Sequence, residues 1–593
     1  MDVIIGIDLG TTNSEVAVIQ QGRPTVLADE GDPILPSVVG LDAEGRLLVG
    51  KAARNQYVMA PERTVRSIKR KMGQEVTVSL GEQSFTPQEI SAMVLRTLKQ
   101  RAEKVLGQTV TKAVITVPAF FTEVQRDATR LAGELAGLEV MRIINEPTAA
   151  VLTYDPHPAE MERLLVYDLG GGTFDVSIAQ VEQGVVEILS SHGDTQLGGD
   201  DFDQRLLDFV CDRFRSEHGI DLRESPVARS RLLNAVEEAK KRLSFEPVVT
   251  VEEAFIAEKS GVPLNLRVEV TREEYEGLIE PLLAKTLKCV DDALTDARLQ
   301  AEQIRKVLLV GGATRTPLVH QMLQTRLGRP VHAEIEPDLA VAMGAAVQAG
   351  LIAGIDVGPV LVDITPRTLG IEALGQIEGF MSPYCFSPII ERNTPLPAVR
   401  TEIYSTNYDY QTEARIRVFQ GEDGDTRFNE RVGEMMVQGL AKVPSPNEIL
   451  VRMELDLNGI LRVTATERAT GLAKQVVIDN MTERFRQRES VDALERLDAL
   501  FGTSARPEAG ESYLDVTAAP VEIEDPALRE AIEQAETLIA KSGRAEQGAN
   551  EEDADELKAL VMDLRAAVSR RSLDDITRIC AEVEDLVFYL QGN

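Results

Sequence analysis

Several residue types are scarce in this 593-residue chain, and each scarcity disfavours a class of function. Tryptophan is absent and aromatic residues make up 4% of the sequence, so there is little to stack on nucleic-acid bases. Acidic residues outnumber basic ones by 96 to 63, and the resulting net charge of −33 opposes binding to a phosphate backbone. We therefore expect no nucleic-acid partner.

Cysteine, basic leader residues and long apolar runs are scarce as well. The four cysteines, at positions 211, 289, 385 and 580, lack the spacing of a metal or redox motif, which favours reduced thiols. No Lys or Arg precedes Arg23, so the basic start of a signal peptide is missing. Leu339–Ile355 is apolar but shorter than the roughly 20 residues of a spanning helix, which predicts a buried helix. We expect a cytoplasmic protein without a membrane partner.

The residue pattern divides the chain into four parts. Residues 1–354 alternate short β-branched strands with helical stretches, as α/β domains do. Residues 355–363 contain Gly358-Pro359 and predict a linker. Residues 364–480 are rich in predicted antiparallel strands, and Asn458-Gly459 between two alternating runs predicts a hairpin. Residues 481–593 have the apolar spacing of amphipathic helices, compatible with a solvated bundle or with a lid.

Two segments in the first part share one strand-turn-strand pattern. Ile4–Asn13 is an apolar strand, Asp8 and a turn of small residues, and Leu164–Thr173 repeats it around Asp168. Glycines and small hydroxyl residues let backbone N–H groups approach phosphate oxygens, and an Asp ahead of the turn can hold a hydrated cation. One such turn alone is more often an ordinary hairpin. Two matched copies indicate a phosphate site between two related lobes.

A third glycine turn, Gly311-Gly312, follows a predicted strand at a position where α/β folds bind ligands. The chain has no Walker A pattern, zinc motif or Gly-x-Ser-x-Gly elbow. In this order, Ile7–Asn13, Asp168–Asp175 and Val310–Pro317 resemble the three signatures of the DnaK (seventy-kilodalton heat-shock) chaperone family. The resemblance covers essentially the whole chain, and Phe380–Thr394 is similar to the HscC-like bacterial branch.

The resemblance implies a fold and a function. Residues 1–354 would form an α/β, actin-like, two-lobed ATPase domain, and 355–363 the interdomain linker. Residues 364–480 would form an antiparallel β-sandwich that binds peptides, and 481–593 an α-helical lid. The protein would be an ATP-dependent chaperone whose affinity for extended hydrophobic peptides is switched by ATP. The implied cofactors are ATP or ADP, Mg²⁺ and K⁺. The implied partners are unfolded clients, a J-domain cochaperone and a nucleotide exchange factor.

The resemblance also assigns roles at the nucleotide site. Lys69 would touch the γ-phosphate, Glu146 would orient the attacking water, and Asp168 and Thr173 complete the catalytic set. Asp8, Asp168 and Asp175 would surround the metal ions. The residues implied to contact the nucleotide are Gly10, Thr11, Thr12, Asn13, Gly170, Gly171, Gly172, Gly198, Glu237, Lys240, Lys241, Gly311, Gly312, Arg315 and Asp338. Without the resemblance, the basic run around Lys69 and the group Glu237, Lys240 and Lys241 would both be interpreted as solvated helix faces.

Two further sets follow from the resemblance. The residues implied to couple nucleotide, linker and J-domain are Pro118, Arg126, Arg142, Asn145, Thr148 and Asp363. The residues implied to contact peptide are Ile371, Leu374, Tyr404, Asn407, Ala414 and Ile416. For Ile371 and Ile416 alone, ordinary strand core is the better interpretation. Pro359 lacks an N–H, so we expect weaker pairing of the linker and weaker coupling.

Two alternatives remain beside the coupled chaperone. One is an actin-like or sugar-kinase-like ATPase without a client, which the parts after residue 363 disfavour. The other is a dedicated regulatory protein of the same architecture that holds one partner. A small residue at Ala414, Pro359 in the linker and a shortened segment after Lys69 are consistent with this second alternative.

Overall fold

The structure is a computed structural model that describes residues 3–154, 161–328, 331, 336–355, 357–457, 459–478, 489–502, 534–535, 538–539, 542, 551–570 and 573–591. The chain forms two compact units. The first contains Met1–Gln180, Leu189–Gly358 and Met481–Ala505. The second contains Val181–Ile188, Pro359–Asn480 and Arg506–Asn593.

The first half of the first unit is built on a six-stranded sheet. Its elements are β1 (Ile4–Leu9), β2 (Asn13–Gln20), β3 (Arg23–Val26), β4 (Leu35–Pro36), β5 (Val38–Leu41), β6 (Leu47–Val49), α1 (Lys51–Tyr57), β7 (Thr64–Arg66), β8 (Val78–Leu80), β9 (Gln83–Phe85), α2 (Pro87–Leu106), β10 (Lys112–Val117), α3 (Glu123–Leu135), β11 (Glu139–Asn145) and α4 (Glu146–Val151). The strand order is β11-β10-β1-β2-β3, with β4 beside β2. Strands β1, β10 and β11 run parallel, and β1 and β2 form the predicted hairpin.

The second half of the first unit repeats this hairpin in another sheet. Its elements are β12 (Glu162–Leu169), β13 (Phe174–Glu182), β14 (Val185–Asp194), α5 (Gly199–His218), α6 (Pro226–Leu243), β15 (Val248–Lys259), β16 (Val262–Thr271), α7 (Arg272–Asp296), β17 (Lys306–Val310), α8 (Pro317–Leu327) and α9 (Ala340–Ile352). Strands β17, β12, β13 and β14 are consecutive in the sheet. The parallel pair β12 and β17 brings the second and third glycine turns to one edge.

Helix α9 is the buried helix that the apolar run predicted. Ten of its residues, from Ala340 to Gly350, are buried. A Cβ on Gly344 would overlap the Ala149 carbonyl of α4, and a Cβ on Gly6 would overlap the backbone at Ala346. The two glycines therefore let α9 pack closely against α4 and β1. Nowhere in the described ranges is a helix both long and apolar enough to cross a membrane.

The second unit contains eight strands in two antiparallel sheets that share one core. These eight strands are β19 (Leu369–Ile377), β20 (Phe380–Ile390), β21 (Ala398–Ser405), β22 (Glu413–Gln420), β23 (Glu430–Gln438), β24 (Glu448–Leu455), β25 (Leu461–Glu467) and β26 (Ala473–Ile478). A short strand that precedes them, β18 (Val360–Val362), belongs to neither sheet. The strand orders are β20-β19-β22-β23 and β21-β24-β25-β26. Leu369 and Val418 from one sheet join Val451 and Val463 from the other in the core. The predicted hairpin β24–β25 forms, although Asn458 lies outside the described residues.

Helices and a short linker strand complete the two units. The helices are α10 (Glu489–Leu500), α11 (Glu551–Arg570) and α12 (Leu573–Gln591). In the first unit, α10 packs against α2, and Arg496 Nη2 donates to Glu89 Oε1 over 2.5 Å.

In the second unit, β18 pairs in parallel with Val185–Glu187, and Met562 of α11 packs against Val362. The pairing begins at Val360, so the missing N–H of Pro359 precedes the first paired residue. Asp356 of the predicted linker is outside the described residues.

Candidate functional site

The two Asp-Leu-Gly turns face each other across a cavity of about 90 Å³ in the first unit. A Cβ added to Gly171 would overlap Thr12 Oγ1, and one added to Gly172 would lie 2.6 Å from Thr11 Cγ2. The turns therefore approach each other more closely than any other residue type would allow. The predicted residues that line this cavity are Asp8, Gly10, Thr11, Thr12, Asn13, Lys69, Glu146, Asp168, Gly170, Gly171, Thr173, Gly311, Gly312 and Asp338.

Two hydroxyl groups in this cavity fit a polar ligand. Thr11 Oγ1 and Thr12 Oγ1 are buried and have no hydrogen-bond partner within the described part of the chain. An unsatisfied buried hydroxyl group costs about 1–3 kcal/mol, so a native protein rarely keeps one without a reason. Phosphate oxygens would accept hydrogen bonds from both hydroxyl groups. The cavity therefore fits the polyphosphate part of a nucleotide.

A buried ion pair lies inside the cavity. Lys69 Nζ donates to Glu146 Oε1, and the two residues are 3% and 7% exposed. Lys69 sits on a single 3₁₀ turn, Ile68–Lys71, and its ammonium lies 5.8 Å from the centroid of the Phe121 ring. The solvated-helix interpretation of this basic run is therefore wrong for Lys69. The arrangement places one positive charge and one carboxylate at the phosphate end of the site.

The remaining carboxylates of the site carry more negative charge than the protein neutralises. Burial, with the charge of Glu146, raises the pKa of Asp8 to about 7, although Lys69 and a hydrogen bond from Thr116 oppose the shift. Burial raises the pKa of Asp175 to about 7 in the same way, and it also raises that of Asp168. A cation bound among these groups would relieve the repulsion.

The described residues do not form a closed metal cage. No group of three or more His, Cys, Asp or Glu side chains in these ranges has the spacing of a metal site. Asp175 does not line the cavity, because its carboxylate accepts the N–H groups of Ala119 and Phe120 at 3.1 Å. The carboxylates at Asp8 and Asp168 fit a hydrated Mg²⁺ that takes its other ligands from phosphate and water.

The residues implied to contact adenosine are only partly brought together. Arg315 Nη2 donates to Asp338 Oδ2 over 2.7 Å, at the edge of the cavity. Lys240 Nζ instead donates to Asp203 and to the Gly199 carbonyl. Gly198 packs against the second turn at Gly171, and Gly172 of that turn packs against Thr11, but neither glycine lines the cavity. Glu237 lines a neighbouring cleft that also includes Thr11 and Thr12. Lys241 does not line that cleft, but its Nζ lies 2.9 Å from Glu237 Oε1.

Sequence analysis missed the ion pairs that join the two halves across that cleft. Arg66 Nη2 lies 3.2 Å from Glu237 Oε2, and Arg54 Nη2 lies 3.4 Å from Glu237 Oε1. Arg70 forms a further pair with Asp201. Arg66 and Arg70 flank Lys69 in the same basic run, which was the only sequence feature that could have pointed to them. Glu15, also missed, lines the phosphate cavity.

The predicted coupling residues cluster beside the site, with one exception. Arg126 Nη2 donates to Asn145 Oδ1 over 2.6 Å and to the Ala119 carbonyl over 2.9 Å. Pro118 precedes that same loop, whose N–H groups bind Asp175. Thr148 is buried on α4, and Arg142 lies on β11. Asp363 belongs to the second unit.

The predicted peptide residues differ in exposure. Ile371 and Ile416 are 4% and 5% exposed and belong to the core of the second unit. Their burial agrees with the interpretation of these two residues as ordinary strand core. Tyr404 and Ala414 pack against that core and remain partly exposed, and the Tyr404 hydroxyl lies 2.9 Å from Ser387 Oγ. Leu374 is 54% exposed, and Asn407 is exposed as well.

A comparison with protein-family models matches the chain over residues 4–78 and 74–590, which is nearly its whole length. The matching family is described as Hsp70 protein. Its members are chaperone-type ATPases that bind ATP or ADP with Mg²⁺, client polypeptides and cochaperones. The facing glycine turns, the orphaned threonine hydroxyl groups and the Lys69–Glu146 pair are consistent with that chemistry. The chain belongs to the Hsp70 protein family.

Proposed function

We propose that this protein is an ATP-dependent chaperone that binds and releases extended hydrophobic segments of client polypeptides. The observation that carries the proposal is the pair of facing Asp-Leu-Gly turns with Lys69 and Glu146 between them. Phosphoryl transfer depends chiefly on positioning and on charge neutralisation, and this cavity offers both. The HscC-like branch, a cytoplasmic location and a role in stress remain part of the proposal.

In the proposed reaction each side chain has a limited task. The Lys69 ammonium would contact the γ-phosphate, and the Glu146 carboxylate would accept a hydrogen bond from the attacking water. Asp8 and Asp168 would hold a hydrated Mg²⁺, which supplies positive charge to the phosphates when bound. Thr173 and Asp175 would serve a K⁺ ion nearby. The Thr11 and Thr12 hydroxyl groups would donate to phosphate oxygens.

The nucleotide contacts beyond the phosphates are part of the same proposal. Arg315 and Asp338, joined by a hydrogen bond, would border the adenosine with Gly311 and Gly312. Glu237, which is only 4% exposed, would reach the ribose from α6. Lys240 and Lys241 already pair with acidic side chains, so their contribution would require exchange of those partners.

The second unit supports a peptide site. Tyr404 and Ala414 remain partly accessible beside the shared core, and Leu374 on β19 and Asn407 just after β21 are exposed. We assign residues 364–480 to peptide binding as a β-sandwich, 481–593 to a lid and 355–363 to a linker after the nucleotide domain, 1–354. Pro118 and Arg126 would relay the nucleotide state toward the linker. Arg142, Asn145, Thr148 and Asp363 would serve a J-domain cochaperone.

The proposal is tested by the dependence of peptide affinity on nucleotide. A fluorescent hydrophobic peptide is titrated with the Lys69→Ala protein in ATP, in ADP and without nucleotide, and its anisotropy is measured. Coupling between two sites typically amounts to about 1–3 kcal/mol, so peptide should bind roughly 5–150-fold more weakly in ATP than in ADP. Equal affinity in all three states would refute the switch and leave a static binder of one partner. No binding in any state would refute the peptide site itself.

A further inference from the structure

Glu15 is an acidic residue at the phosphate cavity that the proposed reaction does not use. It lies on β2 directly opposite Asp8 on β1, and it is 2% exposed. Side chains of directly opposed residues in an antiparallel pair lie on one face, with Cβ atoms about 4.5–5.5 Å apart. Glu15 and Asp8 both line the cavity. Two carboxylates therefore stand side by side at the place where the phosphates would bind.

The Glu15 carboxylate accepts no hydrogen bond from any described residue, unlike its neighbours. Asp8 accepts one from Thr116, and Glu146 accepts one from Lys69. The Arg101 guanidinium, a positive charge that acts on Glu15, donates its hydrogen bonds to the carbonyl groups of Asp32 and Pro33 instead. A carboxylate that is ionised at such a buried position needs a positively charged ligand beside it.

The charges that line the cavity show what that ligand would be. Its acidic residues are Asp8, Glu15, Glu146, Asp168 and Asp338, and its basic residue is Lys69. Lys69 pairs with Glu146, and Arg315 pairs with Asp338. Among the described residues, Asp8, Glu15 and Asp168 have no ion-pair partner within 4.0 Å, in a cavity that fits a polyanion. A divalent cation would offset most of this negative charge, which neither water nor phosphate does.

We propose that Glu15 is an additional cation-binding carboxylate, which together with Asp8 holds a divalent cation that is taken up with the nucleotide. Oxygen ligands on a hard cation such as Mg²⁺ or Mn²⁺ are the chemistry that a carboxylate pair supplies. The inference rests on the proposed nucleotide site and adds a residue outside the predicted metal set of Asp8, Asp168 and Asp175. With Glu15 present, nucleotide affinity should depend more strongly on divalent cations than it would with Asp8, Asp168 and Asp175 alone.

The variant Glu15→Gln tests the inference, because it removes the charge and keeps the shape. ADP binding is measured by calorimetry at constant pH, once with excess chelator and once with saturating Mg²⁺. In the unaltered protein Mg²⁺ should strengthen ADP binding. In Glu15→Gln that gain should shrink about tenfold, or about 1.4 kcal/mol, through tighter binding in chelator and weaker binding in Mg²⁺. Glu82→Gln, an exposed change on the same half of the unit, should keep the full gain.

A second measurement counts the cation directly. Electron paramagnetic resonance reports free Mn²⁺ as it is titrated into the protein with and without ADP. Glu15→Gln should weaken Mn²⁺ binding, and Glu15→Asp, which keeps the charge, should restore part of it. An unchanged Mg²⁺ gain, or ADP binding weakened equally with and without Mg²⁺, would overturn the inference. Failure of the unaltered protein to bind ADP at all would overturn the nucleotide site as well, so the two failures are distinguishable.

Discussion

The ion pairs between the two halves of the first unit allow a test of how nucleotide leaves the site. Arg66 on β7 lies 3.2 Å from Glu237 on α6 and 3.9 Å from Asp200 on α5. The first glycine turn and the second belong to opposite halves, so a nucleotide held between them cannot leave until the halves separate. Separation breaks the pair between Arg66 and Glu237. We predict that Arg66→Ala accelerates ADP release.

The expected size of the effect follows from the electrostatics of Glu237. Burial alone would raise its pKa, but the charges of Arg66, Lys241 and Lys240 outweigh burial and lower the pKa from 4.5 to about 2. At about 1.4 kcal/mol per pKa unit, that shift corresponds to roughly 3 kcal/mol of net stabilisation of the carboxylate. Arg66 is the largest of these attractive contributors. Its removal should therefore cost about 1–2 kcal/mol, or about 5–30-fold in release rate.

The assay is stopped-flow displacement of a fluorescent ADP analogue by excess unlabelled ADP. Release from Arg66→Ala should be about 5–30-fold faster, with the association rate nearly unchanged. Combining Arg66→Ala with Glu237→Gln should give less than the sum of the two single effects, because the residues share one interaction. Arg46→Ala serves as the control, because Arg46 is 74% exposed in its 2.6 Å pair with Asp42 and such pairs contribute little.

A release rate for Arg66→Ala within twofold of the unaltered protein would refute this reasoning. The same holds if the two changes add fully in the double variant. Either result would mean that the cleft between the halves opens without breaking the pair, or that nucleotide leaves by a route that does not involve it.

Four further changes give distinct expected outcomes. Lys69→Ala should abolish single-turnover hydrolysis while ATP still binds, which a filter-binding assay and product analysis can separate. Ala414→Phe should weaken binding of a fluorescent peptide by overfilling the half-buried site, at a cost of about 1–3 kcal/mol, with peptide-free ATP turnover unchanged. Replacing Val360–Val362 with Asp should lower ATP turnover and its stimulation by a J-domain protein, but not nucleotide affinity. Gly344→Ala should lower the thermal midpoint of unfolding, because its Cβ would overlap the Ala149 carbonyl.

Local pattern predicted the elements that we propose to bind phosphate, because the folding of each depends on residues close together in sequence. The two Asp-Leu-Gly hairpins and the glycine turn after β17 all form as expected. The buried helix was predicted from an apolar run, and α9 occupies Ala340–Ile352 within it. Each depends on a strand period, a turn residue or a run of apolar residues, which a sequence displays directly.

The contacts between the halves could not be predicted in this way. Arg66 and Glu237 are separated by 171 residues, and their contact depends on how two sheets and α6 are arranged. A basic run predicts only that charge is present, and it does not distinguish buried Lys69 from its neighbours. Lys69 is buried because it lies on a single 3₁₀ turn, Ile68–Lys71, that places its side chain in the cavity. Such short turns show no periodic pattern in the sequence.

Glu15 is different, because the sequence did contain the means of finding it. Once Ile4–Leu9 and Asn13–Gln20 are predicted to form a hairpin, pairing Leu9 with Ser14 across the turn places Asp8 opposite Glu15. A carboxylate opposite Asp8, the proposed metal ligand, is then a consequence of register, and the alternation of side chains requires both to face the same side of the sheet. Motif comparison passed over Glu15 because it follows the signature that ends at Asn13. Extending each recognised strand to its register partners would therefore find site residues that lie just beyond a motif.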